Sequence, residues 1–430
     1  MALMLKGARV IDPQVSLDEV QDVLIVDGKI AAVGCDLDVP EGCEVKDCSG
    51  LELIPGMLDM HTHFRDPGQE YKENIATGSR AAAKGGFTAV ATMGNTDPVC
   101  DNGTVVRYQI DRANVAGLCR LYPVGALTRG QKGEALAEIG DMVAEGAVAF
   151  SDDGHGVQSA GMMRTCMDYV NQFDKVVLAH CEDESLAGNG VVNEGVVSTR
   201  LGLFGQPALS EESEIARDIE LSRLTGCPIH FCHISTKRGL ELIRAAKAEG
   251  LAVTCEVTPH HLFLTEDDID DTYNTNFKMN PPLRTKADAE ALIEGVIDGT
   301  IDCIVTDHAP HADHEKAWEF EIAPFGIVGL ETSLPLMLTN LVATGKLSMS
   351  RLVEVMSVNP RSILRVPAVK IAEGFDADLT LVDPKATFTV TEDFIESKSK
   401  NSAFLGQELT GRAVDVFLGG KQTLVDGNIA

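Results

Sequence analysis

Between Met57 and about residue 310, the chain repeats one pattern eight times: a short apolar run, then a helix-like segment. The runs are "MLDMHTH", "TAVATM", "RLYPVGAL", "AVAFSDD", "VVLAHC", "IHFCHI", "VTCEVTP" and "CIVTDHA". Short apolar strands that alternate with helices build a parallel sheet, and eight such units are the number that closes a (β/α)8 barrel. The intervening segments, such as "NIATGSRAAAKGG" and "SEIARDIELSRLTG", mostly end in glycine, as a helix terminus should. The flanks read differently. "LMLKGARVID", "DVLIVDGKIAAVG" with its Asp27-Gly28 turn, and the late segments "DADLTLVD", "ATFTVT" and "AVDVFLGGKQTLVDG" look like antiparallel strands. The expected architecture is therefore α/β. A (β/α)8 TIM-like barrel spans residues 55–366, and residues 1–54 and 367–430 join as a small β-sandwich domain.

A barrel of this kind builds its site at the C-terminal ends of its strands. The polar residues of this chain collect there. His61 and His63 close the first run, Asp152 and Asp153 the fourth, His180 the fifth, His233 the sixth and Asp307 the eighth. A single histidine at a strand end is more often a core or cap residue than a ligand. Four of them with acids, all at one end of one barrel, point to a metal centre. His61 and His63 are two apart, so in a strand they face the same way. Imidazole nitrogens and carboxylate oxygens suit zinc, with manganese and cobalt as relatives. Counting one of Asp152 and Asp153, six donors are available. A single catalytic zinc uses about three protein ligands. Six suit two cations about 3.5–4 Å apart, with an anion bridging them.

Composition narrows the choice of ligand. The formal net charge is −29, which argues against nucleic acid or an anionic membrane as partner, since both demand a basic face. No apolar run approaches the roughly 20 residues of a membrane span, and "MALMLKGARVIDP" carries no signal-peptide pattern. The eleven cysteines are scattered without a C-x-x-C pair, which fits buried thiols in a reducing cytoplasm. What remains is a small-molecule substrate.

The motifs "DMHTHFRDPG", "MGNTDP", "FSDDG", "AHCED", "CHIST", "EVTPHHL", "MNPPLR" and "TDHAPH", in this order, resemble the amidohydrolase superfamily, and within it the dihydroorotases of the bacterial type I class. The resemblance covers essentially the whole chain. It implies two divalent metal ions, zinc by preference. His61, His63 and Asp307 would hold one and His180 with His233 the other, with Asp153 bridging. Many superfamily members bridge with a carboxylated lysine at the end of strand four; "EGAVAFSDD" has no lysine, in keeping with type I. Asp152 competes for the bridging role, although strand alternation sends it to the other face.

The resemblance also implies Asp307 as the catalytic proton carrier. Substrate contacts would come from His63, Arg65, Asn95, Asn280 and His311 and from the backbone at Phe325 and Gly326, in a loop read as a lid. The implied activity is a cyclic amide hydrolase that interconverts (S)-dihydroorotate and N-carbamoyl-L-aspartate in de novo pyrimidine biosynthesis. The rival readings are an allantoinase- or hydantoinase-like enzyme and a non-catalytic scaffold for aspartate transcarbamoylase. Dihydroorotate carries a ring carboxylate, which Arg65 can bind through two hydrogen bonds; allantoin and hydantoin do not. A salt bridge from Arg65 to Asp66 or Glu70 is the plain alternative for that residue. The expected quaternary state is a homo-oligomer, a dimer included, and association with aspartate transcarbamoylase stays open to an active enzyme of this type.

Overall fold

The eight apolar runs become eight parallel strands, hydrogen-bonded in chain order. In the computed structural model, which describes residues 2–430, they are Met57–Thr62, Phe87–Thr92, Arg120–Gly125, Ala149–Phe150, Val176–Ala179, Ile229–Phe231, Val253–Val257 and Cys303–Ile304. A parallel bridge between Thr62 and His308 joins the first strand to the segment after the last. The His63 amide donates to the His308 carbonyl at 2.9 Å and tightens the same seam.

Alternation along the strands feeds two apolar layers. Leu58, Met60, Ala89, Ala91, Leu178 and Val305 pack with one another and with Leu364. Phe87, Val177, Phe231 and Cys255 instead meet Ile215, Leu240 and Leu292 of the surrounding helices. Those helices begin and end where their caps require. Asn74, Thr236 and Thr285 accept amides at the starts of Ile75–Gly85, Lys237–Ala248 and Lys286–Asp298, and Gly86, Gly226 and Gly299 take left-handed conformations at helix ends.

Two strands are much shorter than their apolar runs: the fourth and the eighth pair over two residues each. The reason is local. Asp152 leaves the ladder to accept the amides of Leu127 at 2.8 Å and Thr128 at 3.0 Å. Asp307 and His233 adopt φ values of 47° and 31°, left-handed conformations that no strand accommodates. Strand pairing stops where polar side chains must be aimed.

The two ends of the chain meet in one continuous nine-stranded sheet, joined where Glu52–Pro55 pairs antiparallel with Leu379–Val382. Asp27 and Gly28 form the expected turn between Leu17–Val26 and Lys29–Gly34. Leu5, Val23, Ile25, Leu53, Leu379 and Phe417 make its core. One part of the C-terminal segment leaves this sheet. The amides of Glu396 and Ser397 donate to Glu331 at 3.0 and 2.8 Å, and Asn401 Nδ2 donates to the Ala309 carbonyl at 3.1 Å, so residues near 396–401 sit on the barrel mouth.

Asp378 pins the terminal sheet to the barrel. It accepts from Arg120 Nε at 2.7 Å, Arg120 Nη2 at 3.1 Å and the Gly419 amide at 2.6 Å, while its carbonyl takes the Gly56 amide at 2.9 Å. Asp378→Ala removes three bonds, two of them charge-assisted, and should cost about 2 kcal/mol in urea unfolding. A loss near zero would show that the joint depends on the sheet ladder alone.

Candidate metal centre and active site

Asp153 is the hub of the site. Its Oδ1 lies 3.4 Å from His61 Nε2, 3.5 Å from His180 Nδ1 and 3.6 Å from His233 Nε2, and its Oδ2 lies 3.5 Å from His63 Nε2. Asp307 Oδ1 approaches His63 Nε2 at 2.9 Å and His61 Nε2 at 3.6 Å. All six side chains are buried. The distances to Asp153 are too long for hydrogen bonds, and His61 Nε2 and Asp153 Oδ1 have no partner among the described residues. Buried polar atoms are almost always satisfied. Atoms that converge at 3.4–3.6 Å without bonding leave room for a cation between them. Three donor sets emerge from the geometry alone among the described residues, His61–His63–Asp307, His61–Asp153–His233 and His61–Cys232–Glu256, and the first two hold the strand-end acids Asp307 and Asp153.

The far sides of the rings are organised to aim the other nitrogens inward, where His63 Nε2 meets Asp307 Oδ1 and His180 Nδ1 meets His233 Nε2, each at 2.9 Å. His61 Nδ1 donates to Glu256 Oε1 at 2.6 Å, and His63 Nδ1 donates to Asn95 Oδ1 at 2.9 Å. His180 Nε2 is 3.4 Å from Glu182 Oε2. Each acceptor fixes a tautomer and turns the other nitrogen inward, as metal-binding histidines require. Glu256 also accepts from His230 Nε2 at 3.0 Å, so one buried carboxylate orients two rings. Burial opposes its ionisation, but His61 and His230 outweigh it and hold the carboxyl at about 2. Burial likewise opposes a charged His180, yet Asp153 and Glu182 prevail and raise it to about 10. For Asp307 the attraction of His61 and the hydrogen bond from His63 overcome burial, and the carboxyl stays far below its usual range. The acids draw protons onto His61 and His180 where a dication would otherwise neutralise them.

Beside the centre opens a cavity of about 290 Å³. Arg65, Asn95, Asn280, His311, Phe325 and Gly326 all line it, together with His63, Asp153, His180, His233 and Asp307. Arg65 makes no salt bridge to Asp66 or Glu70. Its Nε donates to the Pro310 carbonyl at 3.3 Å and its Nη2 lies 3.4 Å from His311 Nε2. Asp66 instead caps the helix at Ile75 and accepts from Tyr108, a structural role. Asp152 serves Leu127 and Thr128 and leaves the centre to Asp153. Asn280 precedes a cis peptide bond to Pro281, and its Oδ1 has no partner among the described residues. His311 Nε2 meets the Phe325 carbonyl at 2.7 Å. Gly326 has φ 102°, and a Cβ there would come within 2.6 Å of Ala309 Cβ, so only glycine fits.

His261, His230 and His308 are structural. His261 bonds to Thr258 Oγ1 at 2.8 Å and the Pro281 carbonyl at 2.9 Å; His230 meets Thr254 Oγ1 at 2.8 Å; His308 Nδ1 accepts from the Gly329 amide at 3.1 Å. Sequence reasoning missed Glu256, Glu182 and Asp59, which accepts from the His61 amide at 3.1 Å and from Thr306 Oγ1 at 2.5 Å. The signal was there. Asp59 and Glu256 are acids in the middle of apolar strands, and such acids are almost never fully buried without a partner.

Fold and site define a barrel hydrolase of the amidohydrolase type with a donor set for divalent metal. The Dihydro-orotase-like family model matches residues 50–239. The chain is 50% identical to a dihydroorotase of Geobacter metallireducens over 98% of its length and 99% of the relative's. It is 48% identical to a dihydroorotase of Acetivibrio thermocellus over 99% of this chain and 98% of that one. Among solved structures, the L-hydantoinase (dihydropyrimidinase) of Arthrobacter aurescens matches with a TM-score of 0.88 at 28% identity, covering 100% of this chain and 97% of the other. The chain belongs to the dihydroorotase family.

Glu256→Gln keeps the size of the side chain and removes the charge that orients His61 and His230. Metal affinity, read by competition with a chromophoric chelator, should fall about 10- to 100-fold. Unchanged affinity would mean that strand geometry alone orients His61.

Proposed function

We propose that the chain is a dihydroorotase, which interconverts (S)-dihydroorotate and N-carbamoyl-L-aspartate. The observation that carries this reading is the junction of two features. Asp153 faces four imidazoles, and the adjoining cavity presents Arg65, Asn95 and His311 to an anionic ring substituent. We further propose that two zinc ions are held, one by His61, His63 and Asp307 and one by His180 and His233, with Asp153 shared. Bound there, such cations supply Lewis acidity and lower the pKa of water from about 15.7 to near 7.

The protein residues do the rest. Arg65, which has no acidic partner within salt-bridge distance among the described residues, binds the ring carboxylate. Asn95 and His311 complete that contact, and Asn280 with the Phe325–Gly326 backbone holds the amide face of the ring. Glu256, Asn95 and Glu182 keep His61, His63 and His180 in register throughout. Asp307, held ionised at neutral pH by His61 and His63, accepts the proton of the attacking water and passes it to the ring nitrogen as the amide bond breaks. Opening the ring creates one new carboxylate and releases one proton, so alkaline pH favours opening and mild acid favours closure. A cytoplasmic location fits the eleven free cysteines. Self-association is supported by exposed apolar side chains at Val196, Phe204 and Leu209, and aspartate transcarbamoylase is a candidate partner for the same surface.

The test is an assay of the metal-loaded protein on dihydroorotate, carbamoyl-aspartate, allantoin and hydantoin. Turnover of the first pair is expected; turnover of allantoin or hydantoin with none of dihydroorotate would contradict the reading. Asp307→Asn should keep its metal and lose about 10³-fold in kcat, the scale of a lost general base. Arg65→Met should raise KM for dihydroorotate about 100-fold, the upper range for a charge-assisted hydrogen bond pair. Near-normal kinetics in either metal-loaded variant would remove that residue from its role.

A further inference from the structure

The loop at Phe325 and Gly326 is expected from the sequence to be a lid, yet the carbonyls of Glu321, Ala323, Pro324 and Gly326 are tied down one after another. Lys278 Nζ donates to the carbonyls of Glu321 at 2.9 Å and Ala323 at 2.7 Å. Lys316 Nζ donates to the carbonyls of Pro324 at 3.0 Å and Gly326 at 3.1 Å. Asn401 Nδ2 adds a bond to the Gly326 carbonyl at 3.2 Å, and its Oδ1 accepts the His311 amide at 3.2 Å. Lys278 Nζ also stands 4.4 Å from the centre of the Phe325 ring.

These two lysines are unusual for their burial. Lys278 is 1% exposed and Lys316 9%, and neither has a carboxylate within 4.0 Å among the described residues. Buried charges are ordinarily paired. Burial accordingly lowers both ammonium groups, Lys278 to about 8 against a small raising effect of Glu321, and Lys316 to about 7, with the nearby Lys278 lowering it further. Arg65, on the same cavity, is likewise without an acid. In a chain of net charge −29, Arg65 lines the cavity and Lys278 and Lys316 stand behind its Pro324–Gly326 wall, three cations with no carboxylate within 4.0 Å among the described residues. Backbone carbonyls satisfy their hydrogen bonds but leave their charge uncompensated. An anion entering the cavity would compensate it.

We propose that Lys316 and Lys278 are positioning residues for the substrate. They hold the loop through the carbonyls of Glu321, Ala323, Pro324 and Gly326 and place positive charge behind the Pro324–Gly326 wall of the cavity, which favours a ring bearing a carboxylate over an uncharged one. The inference rests on the reading that this loop contacts the ring. Drawing the Pro324 carbonyl toward Lys316 turns the amide of the trans peptide, that of Phe325, the other way. A mobile flap could not keep such an alignment.

Lys316→Met, of similar length and uncharged, tests this in the metal-loaded full chain. KM for dihydroorotate and the inhibition constant of orotate should both rise about ten-fold or more, the scale of a lost charge-assisted bond. Metal content should stay unchanged and kcat within about three-fold, since no reacting atom is touched. Lys278→Met should shift KM in the same direction, and it decides the matter if the Lys316 variant is insoluble. Lys316→Arg, which keeps the charge, should recover most of the KM. An unchanged KM in the methionine variants would overturn the proposal. So would a fall in kcat and metal content without a selective rise in KM, because that marks a merely structural role. A wild-type enzyme inactive on dihydroorotate would instead sink the functional reading itself, so the two failures are distinct.

Discussion

One carboxylate organises this molecule. Asp153 is buried among four imidazoles at 3.4–3.6 Å, closer than unrelated polar groups approach and farther than hydrogen bonds reach. Packing these acids and rings in a dry interior is costly, because the bonds that form, His63 to Asp307 and His180 to His233 at 2.9 Å each, leave His61 Nε2 and Asp153 Oδ1 without a partner among the described residues. The arrangement persists because a supporting layer forces it. Glu256, Asn95 and Glu182 hold the outer nitrogens of three of the rings, and strand ends bent into left-handed conformations at His233 and Asp307 aim the inner atoms. A cation shared between those atoms would replace both the missing hydrogen bonds and the protons now drawn onto the rings.

The barrel supplies the rigidity this needs. Its strands present side chains from one rim, so residues far apart in sequence converge within a few ångströms. The same rim explains why so much of the site was legible beforehand. Five of the eight apolar runs carry a histidine or an aspartate at their ends, and run order maps directly onto barrel order. Alternation correctly separated Asp153 from Asp152, since one faces the centre and the other the amides of Leu127 and Thr128. The pocket residues Arg65, Asn95, Asn280 and His311 came from resemblance instead, because nothing in their spacing shows that a turn brings them to one wall.

What escaped the sequence is mostly support. Glu256 and Asp59 sit inside strands, where an acid reads as an interruption until its partner is seen. Lys278, Lys316 and Asn401 escaped for another reason. They act on the backbone of a loop, and backbone acceptors leave no trace in a side-chain pattern. The loop they hold reads in the sequence as a lid whose glycine allows close backbone approach. The structure shows Gly326 serving close packing against Ala309, and lysines tethering four carbonyls around it. The terminal segments also exceed the simple picture of a separate sheet, since residues near 396–401 reach the barrel mouth and Asn401 bonds to the Gly326 carbonyl.

The account stands or falls on what lies around Asp153. Anomalous diffraction at the zinc edge from crystals of the zinc-loaded protein addresses that directly. It should give two peaks flanking the Asp153 carboxylate, one beside His61 and His63 and the other beside His180 and His233. A single peak away from Asp153, or that carboxylate turned out of the cluster with no metal against it, would contradict the account.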